Sequence, residues 1–113
     1  MSNRIDKVNS EILKQASYII NYELKDPRIN GLISIIKVST TPDLKQCKIF
    51  VSTMSKKPDE VLKALKSAKG FIRNELKTKM SVRLMPELFF VLDNSIEYGI
   101  KIDRLLKEIH QDE

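Results

Sequence analysis

A chain of 113 residues, 42% apolar and 31% charged, is long enough for one modest core and too short for two, so a single domain over 1–113 is expected. No apolar run approaches the roughly 20 residues that span a bilayer, and Arg4, Asp6 and Lys7 stand where a signal peptide needs its apolar stretch; the expected compartment is the cytoplasm. The lone Cys47 rules out an internal disulfide, and its alternating surroundings mark it as a small buried hydrophobe of a reducing compartment.

In chain order, Ser2 or Asn3 can cap a first helix whose inner face is Ile5, Val8, Ile12, Ala16, Ile19 and Ile20, running to about Leu24. It stops at Asp26-Pro27, because the proline ring disfavours helical geometry at the residue before it. Arg28 follows in the turn, with a salt bridge to Asp26 and a phosphate contact as equal readings. Residues 32–39 are rich in isoleucine and valine, and 46–52 alternate, with Cys47, Ile49 and Val51 on one face. Thr40-Thr41-Pro42-Asp43 between them is a turn by composition, which makes the two strands an antiparallel pair.

Pro58 fits the first position of the next helix, with Asp59 and Glu60 near the positive end of its dipole. Val61, Leu62, Leu65, Ala68, Ile72 and Leu76 then recur at helical spacing. A third strand spans 87–93, where the successive apolar residues Leu88 to Leu92 imply cover on both faces, at least in part, and a helical crossover favours a parallel pairing with the second strand if the two are neighbours. Asn94 or Ser95 opens a final helical pattern, with 95–113 as a C-terminal tail. Its apolar side covers the second sheet face or waits for a partner. The sum is an α+β domain, two helices on one face of a three-stranded mixed sheet.

The charge is local. Residues 61–86 hold seven basic side chains and one acidic one, while the rest of the chain is close to neutral. Lys63, Lys66, Arg73 and Lys77 share one side of the central helix, and Gly70 interrupts them. An interior glycine weakens a helix by about 1 kcal/mol, so it marks a bend or a close approach by another backbone. A basic field with no acidic counterpart suits a phosphate-rich partner; a solvated, solubilising face is the competing reading.

Helix, strand, strand, interrupted helix, strand is the order of the type II K-homology (KH) arrangement, in which a G-x-x-G turn approaches a nucleic-acid backbone. Here that position reads Ser67-Ala68-Lys69-Gly70, an A-x-G, which implies a kinked helix in place of an open loop. The chain resembles the ribosome-binding factor A family in ordered segments covering nearly its whole length. They are Arg4-Ile5-Asp6-Lys7-Val8, Lys25-Asp26-Pro27-Arg28, Val38-Ser39 through Asp43-Leu44, Ile49-Phe50-Val51-Ser52, Ala68-Lys69-Gly70-Phe71-Ile72-Arg73, Arg83-Leu84-Met85-Pro86-Glu87-Leu88-Phe89-Phe90, and 93–99.

The resemblance implies a KH-like protein that binds the free 30S subunit, contacts 16S rRNA and assists late maturation, especially in the cold. It implies no membrane, no small-molecule substrate, and a monomer. Lys63, Lys66, Lys69, Arg73 and Lys77 are then the phosphate contacts, Ala68 and Gly70 admit the RNA backbone, and Arg83 comes next, with Glu87 or a backbone carbonyl as its alternative partner. Arg4, Lys45 and Lys48 are peripheral. A basic tail attributed to some members has no counterpart in Asp112-Glu113. Phe71, Phe89 and Phe90 are assigned to the core, and Tyr18 and Tyr22 to ordinary packing.

No Gly-rich phosphate loop, no Cys and His set at metal spacing and no nucleophilic triad are present; the lone His110 lies near the C-terminus. No enzymatic activity, metal or cofactor is expected. A protein-interaction module, docking through the C-terminal helix or the sheet face, is the alternative to RNA binding.

Overall fold

The structure, a computed structural model, describes residues 3–29 and 31–93. Helix α1 (Asn3–Tyr18) runs directly into a π-helical turn (Ile19–Glu23). Then come β1 (Ile33–Thr40), β2 (Gln46–Thr53), α2 (Pro58–Ser67), α3 (Lys69–Met80) and β3 (Glu87–Leu92). The tail expected over 95–113 lies outside the described residues.

The first helical segment reaches Leu24 as expected, but its last turn is wide: the Leu24 N–H donates to the Ile19 carbonyl, five residues back, at 3.1 Å. A wider turn rotates less per residue and keeps Asn21 facing the start of β1. Its carboxamide accepts from the Ile33 N–H and donates to the Ile33 and Ser17 carbonyls, each at 2.9 Å. Farther up, the Thr40 hydroxyl donates to Asn9 and ties the other end of β1 to α1.

The sheet order is β1-β2-β3, with β1 antiparallel and β3 parallel to β2, as the hairpin and the crossover require. A bulge at Ile36 shifts the register of β1 between Ile35 and Lys37. Ile33 is therefore buried before it, and Val38 and Thr40 after it, although their numbers differ in parity. The described helices cover one face. α1 packs on β1, α2 on β3, and α3 against α1.

The core between these layers joins Ile12, Ala16 and Ile19 to Ile49, Val51 and Leu88 of the sheet and to Leu65, Ile72 and Leu76, all fully buried. Each large side chain contributes about 1.5 to 3 kcal/mol by leaving water. Cys47 belongs to this core, and burial pushes its thiol pKa up against an opposing hydrogen bond with Thr40.

The other sheet face is covered only in part. β3 alternates: Leu88 and Phe90 point to the helices, while Phe89 on the opposite face stays 37% exposed. The apolar run of β3 is thus buried on one side and partly exposed on the other, where the Lys69 Nζ sits 5.7 Å from the Phe89 ring centre.

Candidate nucleic-acid interface

The long central helix is two helices meeting at Ala68, whose φ of −89° and ψ of 4° belong to the bridge region. The Ala68 N–H is shared by the carbonyls of Ala64 at 3.0 Å and Leu65 at 3.2 Å, which closes α2. Its own carbonyl accepts from the Ile72 N–H at 2.9 Å and starts α3. The bend is at the alanine, not the glycine. Alanine tolerates this conformation without strain, and its small side chain fits half-buried at the joint.

Gly70 lies in the first turn of α3 with ordinary helical backbone, and a Cβ placed on it meets nothing within 4 Å. Nothing inside the fold demands a glycine there. What the missing side chain provides is bare backbone, flanked by exposed Lys66, Ser67, Asn74 and Lys77 at one- and two-turn spacing.

Beside it stands Phe71, 46% exposed and therefore not part of the core to which it was assigned. The buried stripe runs through Ala68, Ile72 and Leu76 at intervals of four, and Phe71 stands one residue off it. That offset was a readable signal of an outward ring, obscured by the general rule that phenylalanines are inside.

The expected cations divide into three groups. Lys66, Lys77 and Arg83 are exposed and, among the described residues, form no ion pair. Lys63 and Lys69 face carboxylates loosely, Glu60 at 3.9 Å and Glu87 at 3.7 Å, in exposed pairs of the kind worth well under about 1 kcal/mol. A phosphate can recruit both. Arg73 is committed to the fold: its guanidinium donates to the Met85 carbonyl at 2.6 Å and the Pro86 carbonyl at 3.2 Å, anchoring the loop before β3. Glu87, one partner considered for Arg83, faces Lys69 instead.

Lys79 lies away from this surface. Its Nζ is 3.0 Å from Glu23 and 5.2 Å from the Tyr18 ring, and the hydrogen bond with Glu23 is the main cause holding its pKa above the usual value. Tyr18 and Tyr22 pack on each other, 5.2 Å between ring centres. At the N-terminal end of α2, Arg28 takes its salt-bridge reading: it grips Asp26 through two side-chain bonds of 3.1 and 2.7 Å. Those bonds, followed by the Arg28 N–H, bring the Asp26 pKa down to about 2.

The surface around Ala68 is thus an exposed rank of ammonium groups along a bent helix, with an opening in its backbone and one outward ring. Its charge is of the kind that suits a polyanion. It presents no acid and base pair for proton transfer, and no group of three or more His, Cys, Asp or Glu side chains that could hold a metal occurs among the described residues.

The ribosome-binding factor A family model matches residues 4–106 of the chain. The chain is 44% identical over 105 residues to ribosome-binding factor A of Lachnospira eligens, covering 91% of this chain and 81% of that protein. Among solved structures it resembles the crystal structure of ribosome-binding factor A from Thermus thermophilus, with a TM-score of 0.71 at 21% identity over 77% of this chain and 92% of that one. It also resembles a Thermus thermophilus ribosome binding factor A homology model fitted into a cryo-EM map of a 30S complex, with a TM-score of 0.63 at 21% identity over 74% and 88% of the two chains. With the element order and sheet described above, the fold is KH-like.

Proposed function

The chain belongs to the ribosome-binding factor A family, and from that premise we propose that it is a non-catalytic assembly factor that binds the free 30S subunit through 16S rRNA and assists its late maturation. The observation that carries the RNA-binding part is the bend at Ala68, where bare backbone at Gly70 lies between unpaired Lys66 and Lys77. Supporting the partner is the 30S complex of the Thermus thermophilus relative.

In mechanism, Lys66 and Lys77 hold phosphates as fixed points, and Lys63 and Lys69 swing from their weak carboxylate partners to add to them. Arg83 extends the charge along the loop. Ala68 and Gly70 let the sugar-phosphate chain approach the helix, and Phe71 offers a face to a base. Arg73 acts through the loop it anchors. Occupancy of an immature RNA conformation, with affinity falling as the conformation matures, yields release on completion without any chemical step. A factor that acts on ribosomes works in the cytoplasm, which is the compartment proposed, and no helix among the described residues is long and apolar enough to cross a membrane.

Chemical footprinting of small-subunit RNA with and without the protein tests the reading. Discrete protections on free 30S subunits, lost with Lys66→Glu and Lys77→Glu together, are expected. An unchanged modification pattern at saturating protein contradicts it.

A further inference from the structure

We infer that the cleft between the start of α1, the β1–β2 turn and the loop 81–86 takes one unstacked nucleotide of single-stranded RNA. This rests on the reading of the chain as an RNA-binding protein and adds a second, separate subsite to the bent helix. The cleft has a volume of about 670 Å³. Val8, Met80 and Met85 give it apolar walls, and Leu84 at its edge is 86% exposed, more than any other large apolar side chain among the described residues.

The rim selects the ligand. Arg4, Lys45 and Arg83 line it, all exposed and, among the described residues, free of ion pairs. Two carboxylates share the rim with them: Asp43 accepts from the Thr41 hydroxyl at 2.6 Å and the Lys45 N–H at 3.0 Å, and Glu87 faces Lys69 loosely at 3.7 Å. An apolar peptide side chain uses the floor and leaves Arg4 and Arg83 uncompensated, while Lys45 lies in the field of the Asp43 carboxylate. A nucleotide uses both, its base on the apolar wall beside polarisable methionine sulfur and a guanidinium plane, its phosphates on the rim.

The cleft is also held in shape. Arg73 fixes the carbonyls of Met85 and Pro86, while Leu44 in the lining and Ser81, between the lining residues Met80 and Val82, hold left-handed φ values of 61° and 54°. A preformed, largely apolar concavity with a few convergent charges is the usual form of a small-ligand site. The Lys69–Glu87 pair joins its rim to the first turn of α3, so one RNA strand passing Gly70 can reach it.

The test labels the methionine methyl groups of the 113-residue chain for NMR and titrates it with a six-nucleotide oligoadenylate, then with a duplex RNA of equal charge. The Met80 and Met85 methyls shift upfield with the single strand, from the ring current of an inserted base, and stay in place with the duplex. Met54 follows β2, whose other end faces the cleft, and serves as the unmoved control. Leu84→Ser, a change at an exposed side chain, removes the shifts. Arg83→Gln and Lys45→Gln each weaken oligonucleotide binding by roughly fivefold at 0.1 M salt, the loss of one single-strand phosphate contact.

Methyls unmoved by an oligonucleotide that still binds through Lys66 and Lys77 overturn the cleft assignment and leave the proposed function intact. Equal shifts with the duplex overturn it too, since a paired base cannot enter. Shifts produced only by an acidic, leucine-containing peptide assign the cleft to protein and overturn it as well. An oligonucleotide that binds nowhere on the chain does the same, with subunit association then judged separately by the footprint.

Discussion

Gly70→Ala separates what the fold needs from what a partner needs. In the structure Gly70 is helical and has open space where a Cβ would go, so alanine adds no clash and removes the unfolded chain's extra freedom. The gain is about 0.5 to 1 kcal/mol, which raises the melting temperature of a domain this size by about 2 to 8 °C. Against RNA the sign reverses. A methyl between the helix and an RNA backbone in van der Waals contact displaces the phosphate from at least one charge-assisted hydrogen bond of about 1.5 to 3 kcal/mol, a loss of roughly ten- to a hundredfold in affinity. Thermal melts followed by circular dichroism, beside co-sedimentation with free small subunits at fixed salt, read the two effects independently. A lowered melting temperature refutes the placement of the bend at Ala68. Subunit affinity within about twofold of the parent, with stability raised, refutes close approach at Gly70.

Other substitutions probe the parts that hold this surface. Arg73→Lys keeps the charge but cannot span both the Met85 and Pro86 carbonyls, so it lowers stability by about 1 to 2 kcal/mol while the salt dependence of subunit binding stays the same. Asn21→Ala leaves the Ile33 N–H and carbonyl without their partner and destabilises by about 2 kcal/mol, visible as faster amide exchange at the start of β1. For the Asp26–Arg28 pair the folded carboxyl titrates near pH 2, below its ordinary 3.8, so its contribution is present above about pH 4 and is lost as pH falls through 2. Carbon-detected NMR titration of Arg28→Ala finds the Asp26 carboxyl moved up toward 3.8.

Much of this was legible in the sequence because local signals agreed with the global packing. The Pro58 start, the stripe through Val61, Leu65, Ile72 and Leu76, and the alternation of β2 each have one good structural solution. What escaped depends on tertiary detail. The bulge at Ile36 comes from pairing register, and a run of isoleucines gives no sign of where an extra residue falls. The π-helical turn exists to aim Asn21 at a strand twelve residues away, which no local propensity encodes.

Charge was legible as an amount and not as an assignment. Seven basic residues in one segment pointed to a polyanion, but only the fold shows that Arg73 is bound to backbone carbonyls and Lys79 to Glu23. The cleft at the start of α1 brings Arg4, Lys45 and Arg83 together from three distant parts of the chain, and singly Arg4 and Lys45 read as peripheral, solvated side chains.

The central claim is that the bent helix meets ribosomal phosphate through its free ammonium groups. Co-sedimentation with free small subunits over a salt series, for the parent and for Lys66→Gln with Lys77→Gln, tests it most directly. The account predicts an unchanged melting temperature and a plot of log affinity against log salt shallower by about 1.5, two phosphate contacts at roughly 0.7 to 0.9 each. An identical slope in the two proteins contradicts it.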